Sequence, residues 1–163
     1  LNLYSNRLKC IPSVIFGYSK LRVLAWGVTP IAELPAEIER LQEFEYLNLA
    51  CNPLNVLPET LSELKHLRGL VLHQNKLKEL PKGIGNLENL EHVTLYQNEL
   101  GSLPASFENL KNLRKLNLAW NQFKEVPSVI TGLPKLEWFG FYYNPIRGDV
   151  PGLTHIKEVM LEK

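Results

Sequence analysis

Residues 67–133 read LRGLVLHQNKLKELPKGIGNLEN, LEHVTLYQNELGSLPASFENLKN and LRKLNLAWNQFKEVPSVITGL, three segments that begin at Leu67, Leu90 and Leu113 and superpose column by column. The shared pattern is L-x-x-L-x-L-x-x-N-x-L-x-x-L-P-x-x-I-x-x-L. A fixed period in the range of about 20–50 residues means stacked supersecondary units, each sharing its core with the next. Outward from this stretch, further repeats start at Leu21, Phe44 and Leu136. Residues 1–20 hold a partial one, with Leu1, Leu3, Asn6, Leu8, Ile11 and Pro12 in register. Pro12, Pro35, Pro58, Pro81, Pro104 and Pro127 mark the period, each after Leu, Ile or Val.

Each column has a physical reading. The L-x-L step alternates as a short strand with one buried side must, and equivalent strands stack in parallel about 4.8 Å apart. The ninth column is Asn in six of seven repeats (Asn6, Asn52, Asn75, Asn98, Asn121 and Asn144). A side-chain amide offers two donors and an acceptor, so this column predicts a structural ladder that satisfies turned backbone. Proline fixes φ and lacks an N–H, which suits an irregular outer segment. The P-x-x-I-x-x-L stretch predicts one helical turn there, α or 3₁₀. Gly83 and Gly85 fall in that segment and read as a flexible outer turn.

These columns resemble the leucine-rich repeat family, in its 23-residue Leu-Pro type, over essentially the whole chain. The resemblance implies a single α/β domain spanning 1–163: a horseshoe solenoid with a parallel concave sheet and short helical or 3₁₀ turns on the convex side. A terminal strand is expected at about 156–161, where Lys157, Glu158, Glu162 and Lys163 give a polar outside that protects the edge.

Two repeats depart from the pattern. After Leu21 and Leu24, Trp26 takes an inward leucine position and Thr29 replaces the ladder Asn. Local repacking and a coil widened beside a binding spot both fit that reading. Later, Ile146-Arg147-Gly148-Asp149-Val150-Pro151 inserts one residue; its Arg-Gly-Asp tripeptide reads as chance.

Composition narrows the functional classes. The chain has 163 residues, 45% apolar and 21% charged, with net charge +1. That balance lacks the basic stripe a nucleic-acid binder needs, and no apolar run is long enough for a membrane span. Cys10 and Cys51 fall on different sides of a coil, so no disulfide is expected, and a reducing, cytoplasmic location (or delivery into a host cytoplasm) follows. The first residue is Leu1, at the fourth column of a repeat, so the chain reads as partial, with its N-terminal cap absent.

No catalytic or cofactor motif appears. His73 and His92 face the same side on adjacent strands but at columns seven and three, on the order of 13 Å apart, too far to share a metal. His66 and His155 lie elsewhere on the coil. No phosphate loop, nucleophile elbow or zinc spacing is present. A non-catalytic chain without cofactor or metal is expected.

The third, fifth, seventh and eighth columns look out from the concave sheet. Tyr96, Trp120, Trp138, Tyr142 and Tyr143 cluster there toward the C-terminal half, with His73 and Lys115 beside them. Tyr and Trp dominate interface energetics, so this patch is the expected partner-binding face. The second column alternates Arg22, Glu45, Arg68, Glu91, Arg114, Glu137. In-register stacking predicts a charge ladder in which every interior member has two partners.

The expected function is a protein-interaction module, monomeric and docking a folded protein on this face. The family resemblance implies a scaffold, a signalling adaptor or a bacterial effector. It equally implies the recognition region of a larger enzyme, a ubiquitin ligase or kinase whose catalytic domain lies elsewhere.

Overall fold

The computed structural model describes residues 1–147, 150 and 152–161. Seven strands form one parallel sheet in sequence order: β1 Val23–Ala25, β2 Tyr46–Asn48, β3 Gly69–Val71, β4 His92–Thr94, β5 Lys115–Asn117, β6 Trp138–Gly140 and β7 Glu158–Met160. From β1 to β6 each strand pairs with the residue 23 positions on, as Leu47 with Leu70 and Leu70 with Val93. Asn2 bridges to Ala25, so the partial first repeat joins the stack.

The outer segments are 3₁₀ in the partial repeat and the five that follow it: Ser13–Gly17, Ala36–Arg40, Glu59–Glu63, Ile84–Asn86, Ala105–Asn109 and Ser128–Gly132. A proline precedes five of them as an extended cap residue, its carbonyl accepting the first bond of the turn. The shortest, Ile84–Asn86, contains Gly85. A β-carbon there would sit 1.9 Å from the Ser106 carbonyl oxygen. Gly85 is therefore required by close approach of neighbouring coils, and the flexible-turn expectation is corrected.

Apolar residues of the first, fourth, sixth, eleventh and eighteenth columns, mostly leucine and isoleucine, fill one continuous core. Leu49, Leu72, Leu95 and Leu118 are wholly buried. Each contributes roughly 1.5–3 kcal/mol by burial alone, and only because the next coil covers it. At the C-terminal end Phe139, Phe141 and Phe123 replace leucines and pack ring on ring, with centroids 5.3–5.4 Å apart.

The asparagine ladder is present and its wiring is uniform. Asn98 Nδ2 donates to Leu72 O (3.0 Å) and Leu95 O (2.9 Å), while Leu77 N–H donates to Asn98 Oδ1 (3.0 Å). Asn75, Asn121 and Asn144 repeat this pattern. One side chain thus satisfies groups of two coils. Where Thr29 replaces Asn, its N–H and hydroxyl donate to Asn52 Oδ1. Trp26 is fully buried, its indole N–H unpartnered, and β1 keeps the common register. This first departure is accommodated by packing Trp26 into the core with the strand register kept.

One residue per coil has a positive φ, always at the eighth column: Ser5, Val28, Cys51, Gln74, Gln97, Trp120 and Tyr143, at 55–58°. None is glycine. The left-handed turn lets the backbone leave the sheet while its N–H still reaches the next coil, as Trp120 N–H to Tyr142 O at 3.0 Å.

The second-column charges form discrete pairs. Arg22 pairs with Glu45, Arg68 with Glu91 and Arg114 with Glu137; Lys157 also approaches Glu137. Among the described residues Glu45 does not pair with Arg68, nor Glu91 with Arg114. The expected continuous ladder is corrected: a guanidinium that closes on one carboxylate gains little by sharing itself with a second across water.

The terminal strand is observed at Glu158–Met160, with Ile156 and Leu153 buried beneath it. The inserted Gly148-Asp149 and Pro151, and the polar Glu162 and Lys163, lie outside the described residues.

Candidate concave binding face

The strands set two outward rows. The third column runs Val23, Tyr46, Gly69, His92, Lys115, Trp138, and the fifth runs Ala25, Asn48, Val71, Thr94, Asn117, Gly140, both in strict register. The seventh and eighth columns extend the face past the strand ends.

Glycines let aromatic rings lie flat on this surface. A β-carbon on Gly27 would sit 2.3 Å from Tyr4 Cε2, and one on Gly69 2.3 Å from Tyr46 Cδ1. One on Gly140 would sit 2.5 Å from Trp138 Cη2. The rings therefore rest on bare backbone and partly cover it.

Toward the C-terminal half the rings also meet one another. His73 and Tyr96 stack at 4.4 Å with 8° between planes. Trp120 and Tyr143 lie 4.1 Å apart, and Tyr142 meets Tyr143 edge-on at 5.6 Å. Of the five rings expected to face solvent, only Trp120 (47%) and Tyr143 (53%) are exposed. Tyr96, Trp138 and Tyr142 are half-buried, because stacking and the small residues beneath them draw them onto the sheet. The aromatic face also reaches further than the sequence suggested: Tyr4 (46%) and Tyr46 (43%) are exposed at its N-terminal end. Their signal in the sequence is a glycine one period later in the same column, Gly27 after Tyr4 and Gly69 after Tyr46.

Electrostatics follow from packing. Burial lowers the His73 pKa below the ordinary histidine value. Burial raises the Tyr96 phenol, with smaller contributions from Cys51, Tyr142 and Tyr4. The hydrogen bond from Arg114 is the main reason the Glu137 carboxyl lies below the usual carboxylate range. His73 and His92 each bury Nδ1 without a hydrogen-bond partner. Nε2 is therefore the ring nitrogen of each that is left to meet solvent or a ligand.

One cleft of about 420 Å³ opens on the concave side, lined by His92, Val93, Thr94, Lys115, Asn117 and Trp138. It joins two expected site residues, Lys115 and Trp138, to His92, their neighbour in the outward third column. Trp120, Tyr142 and Tyr143 form a cluster beyond the strand ends, with His73 and Tyr96 stacked on the two coils just before it. A larger apolar hollow, about 720 Å³, lies under Leu1, Leu8, Val14 and Tyr18 at the end of the stack, away from this face. Among the described residues no three His, Cys, Asp or Glu side chains gather as metal ligands would. No helix among them is long and apolar enough to cross a membrane. Cys10 and Cys51 are free.

A parallel sheet of one short strand per coil, backed by 3₁₀ turns and an asparagine ladder, defines a leucine-rich solenoid. The family model for a leucine-rich repeat region matches residues 5–99, and that for the single leucine-rich repeat matches 89–110 and 112–133. The chain belongs to the leucine-rich repeat family. It matches no curated protein. Among solved structures it is similar to a leucine-rich repeat protein of Leptospira interrogans, at 32% identity and TM-score 0.80, over 93% of this chain and 44% of that one. It is also similar to the leucine-rich repeat domain of the type III effector XopL, at 28% identity and TM-score 0.83, over 100% of this chain and 59% of that one. A third is the ectodomain of the plant membrane receptor kinase GASSHO1/SCHENGEN3 from Arabidopsis thaliana in complex with CASPARIAN STRIP INTEGRITY FACTOR 2, at 29% identity and TM-score 0.78, over 91% and 18%. The chain thus spans less than two thirds of each of these structures.

Proposed function

We propose that this chain is a non-catalytic protein-interaction module that docks a folded protein on its concave aromatic face. The observation that carries the reading is the Trp120–Tyr143–Tyr142 cluster. Two large rings, Trp120 and Tyr143, stand about half exposed on backbone in the left-handed region. Rigid, pre-placed aromatics lose little entropy on binding and are the residue types that anchor interfaces. The sheet offers roughly 30 Å of face by strand spacing, enough for an interface of about 800 Å² per partner. Tyr96, His73, Lys115 and Trp138 complete the surface. Two free cysteines accord with a reducing, cytoplasmic compartment, the cell's own or a host's.

A second reading makes the chain the recognition region of a larger enzyme. Its support is the likeness to the ectodomain of a receptor kinase and to one domain of an effector.

The test is affinity capture from native or host lysate, with wild type beside a Trp120→Ala/Tyr142→Ala double variant. A protein held by wild type and weakened by about 2 kcal/mol per anchor in the variant supports the face. Equal recovery by both overturns it.

A further inference from the structure

We propose that the cleft across β4–β6 is a subsite for an acidic side chain of the partner, an aspartate or glutamate with an apolar neighbour that lies on Trp138. This rests on the concave face being the docking surface and specifies what one part of that surface reads.

The charge pattern is the first argument. Across β1–β6 the two outward rows carry one formal charge, Lys115, and no carboxylate. The seventh and eighth columns carry neither charge. Lys115 is exposed and makes no ion pair among the described residues, whereas Arg22, Arg68 and Arg114 on the neighbouring rim each hold a glutamate. The rim glutamates nearest Lys115, Glu91 before β4 and Glu137 before β6, are each already paired with an arginine.

The second argument is the donor set around it. His92 stands beside Lys115 on the paired strand. With Nδ1 buried and unpartnered, the ring meets a ligand through Nε2, which donates to a carboxylate when it carries the proton. The cleft thus combines an ammonium, an imidazole nitrogen, the Thr94 hydroxyl and the Asn117 side chain, with the Trp138 ring as an apolar wall. Asn117 Oδ1 already accepts from Ala119 N–H, which leaves its NH₂ group as a donor. A carboxylate answers such a set, and an ammonium or guanidinium does not.

The third argument fixes the position. The row continues past Trp138 to Glu158 on β7. Glu158 lies two strands from Lys115, about 10 Å away, with Trp138 between. Like-charge repulsion keeps an incoming acid off the β7 side and directs it to the His92–Lys115 side.

The test uses two blocked dipeptides, N-acetyl-Asp-Phe-amide and N-acetyl-Asn-Phe-amide, titrated at low salt into ¹⁵N-labelled protein. The chain has three tryptophans, so its indole N–H signals report separately on Trp138, on Trp120 and on the buried Trp26, whose unchanged signal shows that a variant is folded. The acidic peptide should shift Trp138 with an affinity about threefold to fivefold above the amide. Lys115→Met should close that gap, and Glu158→Gln should raise acidic-peptide affinity about twofold. Equal affinity for both peptides, or a gap that survives Lys115→Met, overturns the acidic subsite. Shifts confined to Trp120 overturn it while leaving the aromatic face standing. Silence at both tryptophans overturns it and counts against the concave face as well.

Discussion

The Tyr46 ring occupies the space where a side chain on Gly69 would begin: a β-carbon there would lie 2.3 Å from Tyr46 Cδ1. The two residues share the third column and are paired across β2 and β3. Gly69→Ala should therefore lift Tyr46 off the sheet and cost about 1 kcal/mol, read as a lower unfolding midpoint. In the Tyr46→Ala background the same change should cost nothing further or stabilise the strand. Additive losses in the double variant would refute the contact.

Asn98 serves Leu72 O, Leu95 O and Leu77 N–H from one buried side chain. Asn98→Ala leaves backbone groups of two coils unpaired, and a loss of about 3 kcal/mol is expected in chemical denaturation. Asn98→Asp, which keeps the acceptor and loses the donors, should also destabilise. An unchanged midpoint for both would remove the ladder from the account of stability.

Val28 is a β-branched residue at φ 57°, about 45% exposed. Branched side chains are disfavoured in that region, where Asn is tolerated. Val28→Asn should raise stability by about 0.5–1 kcal/mol. A lower melting temperature would show that Val28 packing outweighs its backbone.

Because the rim charges are closed pairs, coupling should alternate along it. A double-mutant cycle on Arg68 and Glu91 should return about 0.2–1 kcal/mol, and one on Glu91 and Arg114 close to zero. Equal coupling in both cycles would restore a continuous ladder.

His73 supplies a pH dependence. Its folded-state pKa is lowered by burial, so between the folded and unfolded values the unfolded chain binds more protons. Stability should therefore rise with pH through that window and level off above the unfolded value of about 6.5. Replacing His73 by Phe keeps the stack on Tyr96 and should flatten this part of the profile. A slope unchanged in His73→Phe would assign it to another group.

The period made the scaffold readable before any coordinates. Leu72, Asn98 and Pro104 each recur in a column whose chemistry has one use, so strand, ladder and turn followed directly. The site was less legible. Column position says that Trp138 faces outward, but only the backbone shows that it lies along its own strand above Gly140. The stack of His73 on Tyr96 and the closure of Arg114 on Glu137 depend on rotamers, which a repeat does not specify. Tyr4 and Tyr46 lie outside the stretch where aromatics are dense, and their sign in the sequence is the glycine one period on, Gly27 and Gly69, which leaves room for a ring lying flat.

From Ser5 to Trp120 the left-handed residue of each coil is tied to the next coil by its own N–H, and in every coil but that of Val28 an asparagine follows it. Ser, Val, Cys, Gln, Trp and Tyr all occupy it in this one chain. Such a position is free to diversify without renegotiating the fold. Recognition can then drift, be retargeted or be engineered along this single line of seven residues while the horseshoe beneath keeps its shape.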